Sequence, residues 1–127
     1  DFVTIASAGN ATDFGNLTVG RDFVHGSSSS TRGVMAGGRT PSNSNVIDFI
    51  TIASAGNATD FGDLLAAQGY YAATGNSTRA LWVGNLDISN TIEYVTIATT
   101  GNSIDWGDQN GTTQHSSGAC SDSHGGL

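Results

Sequence analysis

Residues 1–15 read DFVTIASAGNATDFG, residues 48–62 read DFITIASAGNATDFG, and residues 93–107 read EYVTIATTGNSIDWG. The first two copies differ only at Val3 and Ile50, and the starts Asp1, Asp48 and Glu93 lie 47 and then 45 residues apart. A phrase recurring at this interval signals a repeat architecture, because each copy is one supersecondary unit that cannot bury its apolar face alone. The copies align without gaps as far as Arg32, Arg79 and His124, each 31 residues after its acidic start. Length varies only beyond that point, in residues 36–47 of the first copy and 83–92 of the second. Variable length marks a loop on one rim, with fixed strands elsewhere.

Each copy reads as four short strands. Residues 1–7 are rich in β-branched and aromatic side chains, which favour a pleated surface. Ala8-Gly9-Asn10 is a turn signal, since Gly and Asn tolerate positive φ. Residues 11–19 are the return strand and carry Asp13-Phe14-Gly15. A polar stretch leads to Val24 and the serine run, and STRGVMAG (30–37) is a further strand, matched by STRALWVG (77–84). Residues 63–73 come closest to helical periodicity. Their counterparts contain Thr18 and Gly20 in the first copy and read DQNGTTQHSS in the third, which argues for strand and loop.

Four short strands in about 45 residues fit one blade of a β-propeller. The details resemble the kelch repeat: a Gly-Gly doublet (Gly37-Gly38), a variable loop, an acidic-aromatic strand start (Asp48-Phe49), a tight turn (Gly56-Asn57) and a second aromatic (Phe61). The third copy has Glu93-Tyr94, Gly101-Asn102 and Trp106, and closes on Gly125-Gly126. The second copy departs, with Val83-Gly84-Asn85 in place of the doublet, and the aromatics are further apart than in a standard kelch blade. STRGV, IDFITIASAGNATDFGDL and ACSDSHGGL are also similar to repeat arrays in virion structural proteins of tailed phages and in uncultivated aquatic viral sequences. That resemblance implies a tail or fibre protein, located on a virion or extracellularly.

The whole chain, 1–127, is expected to form one repeat array with units 1–47, 48–92 and 93–127, the last incomplete. It starts at a third blade strand and ends on a second, so it is expected to be a processed product or a segment of something longer. Closed propellers have about 4–8 blades. The expectation is therefore an all-β array of about three four-stranded kelch-like blades, partial or completed by oligomerisation, with a β-solenoid or fibre shaft as the alternative. The implied partners are further repeats or other copies of the chain.

With 12% charged residues, no Lys, four Arg and a net charge of −7, the chain lacks the clustered basic side chains that nucleic acid or an anionic membrane surface requires. No apolar run is long enough to insert into a bilayer. The single Cys120 allows no intrachain disulfide and is read as a small packed residue rather than a reactive thiol.

Oxygen-bearing side chains recur in the motif: Asn10, Thr12, Asp13 and Asn16, then Asn57, Thr59, Asp60 and Asp63, then Asn102, Asp105 and Asp108. Ca²⁺ takes such ligands, so Asp13, Asp60, Asp63, Asp105 and Asp108 are the metal candidates. The competing and favoured reading is turn capping by side-chain to backbone bonds. Arg32 and Arg79 are expected to bridge strands or pair with a repeated Asp of a neighbouring blade. No nucleophile elbow, phosphate loop or H-E-x-x-H motif occurs, and His25, His115 and His124 fall in the variable stretches. Five N-x-S/T sequons, at Asn10, Asn16, Asn57, Asn76 and Asn110, are glycosylation acceptors if the chain meets that pathway. Phe2, Phe49 and Tyr94, and Phe14, Phe61 and Trp106, recur in phase and read as packing residues. Tyr70, Tyr71 and Trp82 break the phase and are the candidates for an exposed binding surface, although the core is the favoured place for any single one.

These readings point to a non-enzymatic structural and adhesion module, with variable loops for a host-surface glycan or protein. The alternatives are an extracellular filament subunit built by stacked repeats and a Ca²⁺-stabilised lectin-like propeller.

Overall fold

A computed structural model describes residues 1–84, 90–111 and 118–121. His115, His124, Asn85 and the Gly125-Gly126 doublet lie outside these residues. The described chain is all-β: β1 (His25–Ser28), β2 (Arg32–Ala36), β3 (Arg39–Thr40), β4 (Ser42–Thr51), β5 (Thr59–Gln68), β6 (Ala72–Gly75), β7 (Arg79–Val83), β8 (Thr91–Thr96) and β9 (Ile104–Asp108).

Two antiparallel sheets result. The first runs β1-β2-β4-β5, with β3 pairing the start of β4 as a short flap. The second runs β6-β7-β8-β9. Their strands come from corresponding positions of the motif. β2 sets Arg32 opposite Thr51 and Ala36 opposite Ile47, and β7 sets Arg79 opposite Thr96 and Val83 opposite Ile92. Each sheet draws its strands from two neighbouring sequence units. Among the described residues the sheets are open and do not close on themselves.

Both sheets carry a bulge at the acidic residue. The register passes from Ile47↔Gly62 to Asp48↔Asp60, which leaves Phe61 as the extra residue. It passes from Ile92↔Gly107 to Glu93↔Asp105, which leaves Trp106. An extra residue in one strand re-aims its side chain. Phe61 and Trp106 meet the ring of the first aromatic edge-on, Phe49–Phe61 at 5.9 Å and Tyr94–Trp106 at 5.2 Å.

One core serves both sheets. On β2 the alternation buries Val34 and Ala36, and on β7 it buries Ala80 and Trp82. These pack with Ile47, Phe61, Leu64, Tyr71, Val95 and Ile97. The Trp82 indole Nε1 donates to the His25 carbonyl (3.2 Å), and Arg32 Nη1 donates to the carbonyls of Ile97 (3.1 Å) and Ala98 (3.0 Å), so both side chains tie one sheet to the other.

The structure corrects four sequence expectations. Residues 1–7 and 11–19 form no strands and share only the bridge Phe2↔Thr12. An isolated hairpin is marginal in water, and among the described residues no strand stands beside this one as β2 and β7 stand beside the later copies. The tight turn lies before Gly-Asn, where Ser7 N–H donates to Thr4 O, Ser54 N–H to Thr51 O and Thr99 N–H to Thr96 O. Tyr71 and Trp82 do not join an exposed binding surface, since both lie in the core, the place favoured for any single one of these aromatics. Cys120 is exposed, since it follows the last described strand and lies outside the core shared by the two sheets.

Candidate functional site

The acidic groups that open the second and third copies serve the frame. Asp48 and Glu93, which open the second and third copies, are both buried. Thr18 donates to Asp48 from its backbone N–H (3.3 Å) and from Oγ1, and Arg21 Nη2 pairs with Asp48 Oδ2 at 2.9 Å. Glu93 Oε2 accepts from Leu65 N–H (2.9 Å), the position matching Thr18, and from Ser103 Oγ. Its Oε1 accepts from Tyr71 O–H at 3.1 Å. Where the first sheet uses Arg21, the second has Gln68, and Tyr71 supplies the donor instead. Burial first, then the Glu93 charge and its hydrogen bond, push the Tyr71 phenol far above the usual tyrosine range, so it stays a donor.

The Asn residues join one hairpin to the next. Gly56 N–H donates to Phe14 O (2.7 Å), Ala58 N–H to Asn16 O (2.8 Å), and Asn16 N–H to Asn57 Oδ1 (3.0 Å). The same three bonds recur as Gly101 N–H to Phe61 O (2.8 Å), Ser103 N–H to Asp63 O (2.9 Å) and Asp63 N–H to Asn102 Oδ1 (3.0 Å). Gly15 and Gly62 adopt φ of 143° and 146°, and a Cβ on either would drive into the Gly56 or Gly101 backbone. These glycines are therefore required by a close backbone approach.

The carboxylates proposed as metal ligands do local work or stand apart. Asp13 Oδ1 accepts from Gly15 N–H (3.1 Å) and Asp105 Oδ1 from Gly107 N–H (2.8 Å), local side-chain to backbone bonds of which the second spans the bulge of β9. Asp60 is exposed, Asp63 joins the hairpins through its backbone, and Asp108 is exposed on β9. Among the described residues no three His, Cys, Asp or Glu side chains are grouped as a metal ion would need. The five sequon residues, Asn10, Asn16, Asn57, Asn76 and Asn110, are all exposed. The Asn57 and Asn76 side-chain oxygens already accept backbone N–H bonds. Arg32 and Arg79 stack on aromatics, Arg32 over Phe49 at 4.6 Å and Arg79 over Tyr94 and Trp106 at 4.9 and 5.1 Å. Neither forms an ion pair with Asp among the described residues.

Tyr70 is the one phase-breaking aromatic left at the surface, and it belongs to a surface patch. Its ring lies 5.2 Å from Phe23, and its hydroxyl bonds with Arg39 Nη1 at 3.2 Å. Phe23 is 51% exposed and holds φ of 53°, a left-handed conformation uncommon for a bulky residue. The Gly37-Gly38 doublet builds the patch. Gly38 N–H donates to Gln68 O (2.9 Å), and Arg39 and Asp22 exchange backbone bonds (2.9 and 3.1 Å). A Cβ on Gly37 would meet Gln68 O and the Tyr71 ring, and one on Gly38 would meet Asp22 O. Sequence reasoning missed Phe23 and Arg39. The available signal was the length-variable stretch that contains Arg39 and the Gly-Gly doublet before it.

No protein-family model matches the chain, and no curated protein matches it.

Proposed function

We propose that the chain is a non-enzymatic structural and adhesion module of a virion tail or fibre, or of another extracellular assembly. Its two sheets serve as kelch-like propeller blades that carry a recognition patch on their rim. The patch of Phe23, Arg39 and Tyr70 takes a surface glycan or a protein loop. The observation that carries this reading is Phe23, held exposed in a left-handed backbone against Tyr70. Strained, exposed residues cluster at ligand contacts, and an aromatic face beside a guanidinium offers stacking together with hydrogen-bond donors. Glycan-array binding of the intact chain tests it, with Phe23→Ala and Tyr70→Ala as controls. Binding lost in both variants, with unchanged melting, is the expected result. Binding that survives both substitutions removes the patch from the proposal.

A second reading, the filament or ring subunit built of stacked repeats, rests on a different observation. The hydrogen-bonded joint between hairpins is made twice with the same atoms, which is how units that each contact only their neighbours propagate.

A further inference from the structure

The joint between hairpins has two halves, a Gly-Asn segment that docks and an aromatic-Gly-Asp/Asn segment that receives it. The two described joints use the segments starting at Gly56 and Gly101 and the acceptors Phe14–Asn16 and Phe61–Asp63. Among the described residues, one half of each kind is left over. The segment Gly9-Asn10-Ala11 is exposed throughout. The acceptor Trp106-Gly107-Asp108 has the same backbone form, with Gly107 at φ 144°, yet a Cβ on Gly107 meets no described atom within 4 Å.

The apolar side chains tell the same story. Ile5, Ile52 and Ile97 occupy one motif position and are 98%, 44% and 1% exposed. Ile97 is covered because it lies in the core with Val34 and Phe61, and Arg32 holds its carbonyl. The positions matching Arg32, Val34 and Phe61 are Arg79, Leu81 and Trp106, and among the described residues these line, together with Cys120 and Ser121 at one side, a cleft of about 290 Å³. Trp106 is 52% exposed where Phe61 is 3%. A bare isoleucine at one end and a matching cleft at the other are complementary. Large exposed apolar residues concentrated this way mark an interaction surface.

We infer that the chain binds a second copy of itself head to tail. Ile5 of one copy enters the Arg79–Leu81–Trp106 cleft of the next, and Gly9-Asn10-Ala11 docks on Trp106-Gly107-Asp108. The bonds follow the internal joints. Gly9 N–H donates to Trp106 O, Ala11 N–H to Asp108 O, and Asp108 N–H to Asn10 Oδ1. Arg79 donates to the carbonyls of Ile5 and Ala6 as Arg32 does to those of Ile97 and Ala98. Such contacts are heterologous, and they generate a ring where the rotation closes and a filament where it does not. The inference rests on the stacking reading and is independent of the surface patch.

Sedimentation of the intact 127-residue chain over a concentration series tests it. The wild type is expected to show mass growing beyond the monomer. Ile5→Asp and Trp106→Glu, each confirmed as folded by circular dichroism, are expected to remain monomeric alone. An equimolar mixture of the two restores one intact joint and is expected to stop at twice the monomer mass. Ile5 is already solvated, so Ile5→Asp keeps the test sound if Trp106→Glu does not fold. A wild type that stays monomeric at every concentration overturns the inference, as does assembly that survives Ile5→Asp. Phe23→Ala is expected to leave the mass unchanged, which separates failure of this joint from failure of glycan binding.

Discussion

Arg21 and Asp48, 27 residues apart, form a fully buried ion pair with Nη2 and Oδ2 at 2.9 Å. The Thr18 backbone N–H and hydroxyl complete the carboxylate's coordination. The second sheet buries Glu93 at the equivalent place with no arginine beside it. The same structural task, an acid at the bulge, is thus solved once by charge and once by neutral donors.

Removing one partner of a buried pair leaves an uncompensated charge, which costs about 3–5 kcal/mol. Arg21→Met is therefore expected to be strongly destabilising in urea titration, because Asp48 keeps only its Thr18 donors. A loss under about 1 kcal/mol would show that the pair is not needed to hold Asp48.

Tyr71 gives a pH dependence with a definite sign. Its folded-state pKa lies above the ordinary 10.0, so above that value the unfolded chain binds fewer protons than the folded one. Stability from this group is fully present below about pH 10 and falls as pH rises beyond it. Tyr71→Phe is expected to flatten that alkaline limb in thermal melts. It should also cost about 1–3 kcal/mol near neutral pH, because Glu93 loses a buried donor.

Gly62 and Gly107 share a backbone conformation and differ in their surroundings. Alanine pays the positive-φ strain at both, on the order of 1 kcal/mol. At Gly62 it also collides with the Gly101 carbonyl and Asn102 nitrogen. In dilute protein, Gly62→Ala is expected to lower the melting temperature clearly more than Gly107→Ala. Equal shifts would mean that the joint contributes nothing.

Arg32 and Arg79 also share a position and differ in role. Arg32 stacks on Phe49 and donates to two carbonyls of the other sheet, whereas Arg79 stacks on Tyr94 and Trp106. A hydrogen bond from a charged donor is worth about 1.5–3 kcal/mol, and an exposed cation–π contact about 0.5–1 kcal/mol. Arg32→Ala is therefore expected to be the more destabilising of the two in denaturant melts under monomeric conditions.

How much was legible from residue order varied by position. The strands of the second and third copies follow from their β-branched and aromatic runs, and 63–68 is strand despite its helix-like pattern. That Asp would bond to nearby backbone was also readable, since Asp13 and Asp105 accept from groups two residues away, although Asp105 does so within β9 and not in a turn. Local chemistry of this range is written in the order of residues.

What residue order could not decide is which face of a strand meets the core and which distant groups meet. Tyr70 and Tyr71 are neighbours, yet one stacks on Phe23 at the surface and the other lies buried against Glu93. Trp82 broke the phase of the motif and still lies at the centre of the core. By itself, the sequence determined the all-β class, the interval between copies and the strands that repeat. Only the tertiary structure decided that the acid of one copy takes donors from the preceding copy, and that Ile97 is covered while Ile5 is bare. The physical reason is that burial depends on the neighbour a sheet finds in space, and identical residues meet different neighbours along the chain.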